Sequence, residues 1–300
     1  MSSVTATSGE STFIPSRASG LGKTLDEIRV FVWRNLSHIP RMPERLADVT
    51  VMPIMFVLLF GYVFGSAIAM PGQVVTADSA AFYRSYLIGG IFVQSVVFMS
   101  ITTAVGVVSD MKEGVIDRFR SLPISRVSVL GGRAIASLFE GGLGITVMAL
   151  CGLLVGWGAR AGFGNAVAGF ALLAGIALAM ICLGIYVGQL VKNPMTAQAI
   201  GFTAIFPLTF ASNAFVPTDN MPVWLRTFAE WNPVSAMVQA VRELFGNVPA
   251  VDPMAAGLIP ARDLPWPLEN PVLATLIWIV VLGTIGMTLA VRKYSQGKDR

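Results

Sequence analysis

Glu140 is the one carboxylate set inside a long apolar run of this sequence, about two helical turns beyond Arg133 and beside Gly141, Gly142 and Gly144. Turning its charge toward lipid would cost several kcal/mol, so it must face protein or water. Two readings stay open. Glu140 is a cavity or gating group that attracts cationic amphiphiles, or the proton carrier of an ion-coupled transporter; alternatively it is a hydrogen-bonded or protonated packing residue whose close approach the glycines allow. Gln94, in the preceding apolar run, is a second cavity candidate, with interhelical hydrogen bonding as its plainer role. Little else could do chemistry. His38 is the only histidine, and Cys151 and Cys182 both lie in apolar runs, where they read as small hydrophobes. No convergent catalytic or metal-ligating set is recognisable. Gly20-Leu21-Gly22-Lys23-Thr24 ends like a phosphate-binding loop, but Arg17 stands where the first glycine belongs and no apolar strand feeds it. The sequence therefore predicts a protein that is not an enzyme and holds no cofactor or metal of its own.

The elements that position these residues are membrane spans. Of 300 residues, 54% are hydrophobic and only 13% charged, too apolar for an ordinary soluble domain of this length. Six runs, near residues 51–70, 86–109, 134–157, 163–190, 195–216 and 272–291, are long enough to cross a hydrocarbon core of about 30 Å. A net charge of +4 could suggest nucleic acid, but the basic residues cluster between the runs. Sixteen of the 21, including Arg17, Lys23, Arg41, Lys112, Arg118, Arg133, Lys192 and Arg292, fall on one side. Arg84, Arg160, Arg226, Arg242 and Arg262 fall on the other, which places both termini in the cytoplasm. The tight turn at Lys192 and Asn193 could instead lie within a kinked helix.

Residues 1–21 read as a disordered cytoplasmic tail, 22–295 as the transmembrane domain and 296–300 as a second short tail. Thr24 and Glu27 form a capping box that starts a helix over 24–38. Leu25, Ile28, Val32 and Leu36 share one face of it and Trp33 suits a headgroup boundary, so it is expected to lie on the membrane surface; a soluble helix packed on a partner fits the same amphipathicity. A second short helix, over about 111–122, is dense in both charge signs and stopped by Pro123. It presents charge to a soluble partner, or serves only as a positive-inside anchor.

Residues 217–247 are too charged and proline-broken to span and are expected to form two short helices that dip into the outer leaflet or cap the bundle. Pro222 and Pro233 suit first helical turns, Asn232 an N-cap and Gly246 a C-terminal stop. Met237, Val241, Leu244 and Phe245 mark an apolar face of the second helix, and Gln239, Arg242 and Glu243 a polar one. Glycines four apart at Gly61 and Gly65, Gly152 and Gly156, and Gly184 and Gly188 predict close helix packing. There is no visible internal repeat, so a second copy is expected to complete any pathway.

Glu113-Gly114, Arg118 and Arg120-Ser121-Leu122-Pro123-Ile124-Ser125 resemble the coupling-loop signature of ABC type-2 permeases, most closely the daunorubicin/doxorubicin-resistance branch. Phe206-Pro207, Asn213, Phe215-Val216-Pro217, Met221-Pro222, Trp224-Leu225, Asn232-Pro233 and Arg242 resemble the same family's extracellular segment, and the likeness runs over roughly residues 25–295. The resemblance implies an all-α membrane domain in the bacterial inner membrane that exports hydrophobic or amphipathic compounds, drug or lipid. It implies two copies of a separate ATPase subunit carrying ATP and Mg, and a second permease chain, most simply a homodimer. Lys112, Glu113, Gly114, Asp117, Arg118, Phe119, Arg120 and Pro123 would then couple to the ATPase. Thr24, Glu27, Ile28 and Trp33 would belong to the surface helix, and Pro222, Trp224, Asn232, Pro233 and Arg242 to the extracellular gate.

Overall fold

The computed structural model describes residues 51, 54–55, 58–59, 77–114, 126–248 and 263–296. The surface helix at 24–38, nearly all of the first expected span, Asp117 to Pro123 and both tails lie outside the described residues. The rest is helical: α1 (Ala77–Lys112), α2 (Arg126–Leu154), α3 (Phe163–Leu190), α4 (Pro194–Phe210), α5 (Val223–Trp231), α6 (Pro233–Phe245), α7 (Trp266–Glu269) and α8 (Pro271–Gln296). Stretches of α1, α2, α3 and α8 are long and apolar enough to cross a membrane. The protein is a multi-pass membrane protein.

α3 starts and stops where its hydropathy does, at 163 and 190. Lys192 and Asn193 form the expected turn: Val191 is extended, and the Asn193 side chain accepts from the Met195 N–H to cap α4. Several boundaries differ from the sequence reading, among them those of α1, which spans Ala77–Lys112 where the apolar run covers 86–109. α2 begins at Arg126 rather than 134, because polar residues prolong a helix beyond its apolar stretch. It ends at Leu154, and Gly156, at φ 95°, belongs to the following turn, so Gly152 and Gly156 are not a packing pair within one helix. The expected coupling helix over 111–122 does not start at 111. Met111 and Lys112 are the last turn of α1, and Gly114, at φ 68°, ends that helix in the left-handed conformation that glycine tolerates best.

The largest correction is the fifth apolar run, expected over 195–216. α4 stops at Phe210 after 17 residues, about 26 Å at the helical rise, and residues 211–216 turn away. Pro207 removes one helical N–H within it.

α1 and α3 form the centre. Leu87, Ile91, Phe92 and Val96 of α1 pack with Leu173, Ile176, Ile181 and Ile185 of α3, all essentially inaccessible. The pair is close because Gly184 and Gly188 admit the α1 backbone: a Cβ at Gly184 would overlap the Ser100 carbonyl oxygen, and one at Gly188 would lie 2.7 Å from that of Ala104. α8 lies on the other side of α3, with Gly286 against Cys182 and Leu183. Leu273, Leu276, Ile277 and Val280 of α8 and Phe139, Leu143, Leu150 and Leu153 of α2 remain exposed, the pattern of surfaces turned to lipid.

Candidate functional site

The densest polar arrangement lies at the Tyr83 end of α1, where residues 211–216 leave the helix. A chain that stops being helical inside an apolar bundle must find other partners for its carbonyls. Arg242 of α6 supplies them. Nε donates to the Tyr86 carbonyl at 2.8 Å, Nη1 to that of Asn213 at 3.0 Å and Nη2 to that of Ala214 at 2.8 Å. The guanidinium carbon stands 3.3 Å from the centroid of the Tyr86 ring, a cation–π contact. The Tyr86 hydroxyl donates to the Asn213 carbonyl at 3.0 Å, and the Tyr83 hydroxyl to that of Phe215 at 3.1 Å. Arg242 is 1% exposed. Burial pulls its pKa below the ordinary arginine value, and the neighbouring Tyr86 works against that shift.

This close approach depends on two glycines. A Cβ at Gly90 would overlap the Ala214 carbonyl oxygen, and one at Gly89 would stand 2.9 Å from Cγ of Arg242. Asn232 ties the break to the next helix: Nδ2 donates to the carbonyls of Leu208 at 2.6 Å and Ala211 at 2.9 Å, while Oδ1 caps α6 by accepting from the Val234 N–H at 2.9 Å. Ser235 accepts from the Asn213 N–H at 3.0 Å. Pro233 occupies the first turn of α6 and Gly246, at φ 68°, ends it, as expected from the sequence. Pro222 immediately precedes the first residue of α5.

α6 runs into the bundle. Its end, Phe245, joins Phe92, Trp157 and Phe170 in an aromatic cluster with ring centroids 5.1–6.1 Å apart. A Cβ at Gly169 would come within 2.6 Å of the Phe245 ring. α5 is amphipathic in the opposite sense to a soluble helix. Trp224 is 74% exposed, with Val223, Phe228 and Trp231 also exposed, while Glu230 is 6% exposed. Aromatic residues facing outward in this way suit a bilayer interface.

Arg242 does not lie on a polar face, as the sequence reading had it. Ser235, Val238, Arg242 and Phe245 form one buried face of α6. Their spacing of three, four and three residues is the signal, which charge alone obscured.

At the far end of α1, about 39 Å from Tyr86 at the helical rise, Lys112 and Glu113 are exposed and Gly114 is half-buried. Just before them Asp110 accepts from Nη1 of Arg133 on α2 at 2.6 Å. This pair was not anticipated from the sequence. Gln94 is buried within α1, and Glu140 is half-buried on α2 next to Gly141, over which the Met99 side chain lies. Neither is brought to the Arg242 arrangement. Among the described residues no three His, Cys, Asp or Glu are grouped to hold a metal ion.

The sequence profile of the family described as ABC-2 type transporter matches residues 26–245. The chain is 30% identical over 251 residues to the daunorubicin resistance ABC transporter permease protein of Streptomyces coeruleorubidus, covering 82% of this chain and 84% of that one. It is 26% identical over 269 residues to the "probable doxorubicin resistance ABC transporter permease protein" of Mycobacterium tuberculosis, covering 85% of this chain and 91% of the relative.

Proposed function

This chain belongs to the ABC-2 type transporter family, and from that premise we propose that it is the membrane subunit of an ABC exporter in a bacterial inner membrane. Its cargo is a hydrophobic or amphipathic compound, drug-like or lipid, of the kind that daunorubicin and doxorubicin represent in the names of its relatives. ATP and Mg bind to two copies of a separate ATPase subunit, and a second copy of this chain completes the pathway.

The chain crosses six times with both ends in the cytoplasm. The four long apolar helices supply four crossings. α4 with residues 211–216 is a fifth, and the run at 51–70 is the first. The Lys112 end of α1 faces the cytoplasm, so residues 110–125, with Glu113 and Arg118, receive the motion of the ATPase. The surface helix bearing Thr24, Glu27, Ile28 and Trp33 supports it. The Tyr83 end faces outward, and α5 and α6 cap the exit.

The observation that carries this reading is the Arg242 cap. A non-crossing helix pair penetrates one end of an apolar bundle and is held there by a buried guanidinium on main-chain carbonyls. This arrangement supports the reading of α5 and α6 as a closed outer gate.

The experiment is purification of this chain from its host membranes in mild detergent, followed by ATPase and vesicle transport assays on what is recovered. We expect a soluble ATPase at about one copy per permease chain, and ATP-driven transport that persists when the proton gradient is dissipated. A folded chain recovered without an ATPase, whose transport stops with the proton gradient, would sink the proposal in favour of an ion-coupled carrier.

A further inference from the structure

The two helices that bracket residues 115–125 are fastened together by charge. Asp110 lies two residues before the end of α1, and Arg133 lies seven residues into α2. Their contact, at 2.6 Å, joins side chains 23 positions apart in the chain, with 34% of the aspartate and 22% of the arginine exposed. The fit involves a third residue. Nη2 of Arg133 lies against Gly106, one turn before Asp110 on the same face of α1, where any Cβ would overlap it. Nε of Arg133 is buried without an acceptor, so the Nη1 contact with Asp110 fixes the guanidinium.

Beyond this point α2 has a narrow hold on its neighbours. Met99 of α1 folds over Gly141, and Ile88 approaches Gly152. The opposite face, with Phe139, Leu143, Leu150 and Leu153, is exposed. A push on residues 115–125 enters α1 and α2 together. With the two stems held at a fixed spacing the push moves both helices as one lever, and with the stems free part of it is spent in splaying them.

We infer that Asp110, Arg133 and Gly106 are positioning residues for energy coupling, a stem clamp that delivers the motion of the loop to α1 and α2 as a unit. The inference rests on the reading of residues 110–125 as the loop that receives the ATPase.

The test measures substrate transported per ATP hydrolysed, in vesicles holding the permease together with its ATPase subunit. Asp110→Asn, Arg133→Gln and Gly106→Ala are compared with the exchange Asp110→Arg plus Arg133→Asp. Each single change is expected to leave ATP hydrolysis running while transport per ATP falls about threefold, the scale of a partly exposed ion pair. The exchange is expected to restore about half of the loss, as coupled residues do in a double-mutant cycle. Gly106→Ala alters neither charge, so it tests the clamp even where a charge variant assembles poorly.

An unchanged transport-to-ATP ratio in the single variants, while Arg118→Glu in the loop uncouples the complex, would overturn the inference alone. An exchange no better than the single changes would reduce the pair to a packing contact. An ATPase that neither the wild-type permease nor Arg118→Glu influences would overturn the coupling reading, and the clamp with it.

Discussion

The two ends of α1 each use a guanidinium to fasten one element to another, and they do so in opposite ways. At the Tyr83 end Arg242 is buried and divides its donors among three main-chain carbonyls and an aromatic face. At the Lys112 end Arg133 is partly exposed and meets a single carboxylate. Withdrawing a guanidinium from water costs several kcal/mol, which only good geometry offsets. Once offset, the arrangement is hard to leave, because every partner would be stranded in an apolar interior. A half-exposed pair has a lighter hold, since water stands ready to replace either partner. One end is held in a single arrangement, and the other by a contact for which water competes.

The comparison is most severely tested at Arg242. Arg242→Met is predicted to cost about 3 kcal/mol or more, because three buried carbonyls each lose a charged donor and that of Asn213 keeps only the Tyr86 hydroxyl in its place. Arg242→Lys should recover only part of it, since an ammonium is a point charge without the planar fork. Thermal unfolding of the purified protein in detergent measures both, and a methionine variant as stable as the parent would mean that the cap stands without its cation.

Gly90→Ala comes next. The new methyl must push the Ala214 carbonyl away, at about 1–3 kcal/mol for overpacking. The same unfolding assay should show destabilisation in Gly90→Ala but little in Gly142→Ala, since a Cβ at Gly142 meets nothing within 4 Å. Equal effects at the two positions would remove the close backbone approach from the account.

Asp110→Asn is predicted to change global stability least, by about 1 kcal/mol or less. Salt sharpens the contrast, because ions screen exposed charges far more than buried ones. Raising ionic strength should shrink the difference between Asp110→Asn and the parent while leaving the Arg242→Met difference in place. Equal salt sensitivity at both ends would break the distinction between them.

What the sequence made legible follows the range of the forces concerned. The ends of α3, the turn at Lys192 and Asn193, the Asn232 cap and the Gly246 stop are decided by residues within a few positions of each other, and each stands where local rules put it. The ends of α1 and α2 were misjudged because hydropathy reports the thickness of lipid, whereas a helix continues through polar residues such as Arg126 and Ser128 for as long as its own hydrogen bonds close. The early end of α4 was illegible because the carbonyls of the break beyond it, at 213 and 214, are satisfied by Tyr86 and Arg242, one of them 127 positions away through the Tyr86 hydroxyl. Arg242 itself was misread because charge predicts exposure, and only its place between Val238 and Phe245 on the helix face speaks against that. Asp110 and Arg133 were both visible as charged residues flanking a loop, but their meeting depends on the space left by Gly106.

All three hydrogen bonds of Arg242 go to peptide groups, and every residue offers the same carbonyl. Its hold is therefore indifferent to which amino acids occupy 213 and 214, provided that they pack, and only at Tyr86 does it also read a side chain. A fastening that reads the main chain at 213 and 214 lets their side chains drift while the fastening itself is inherited unchanged.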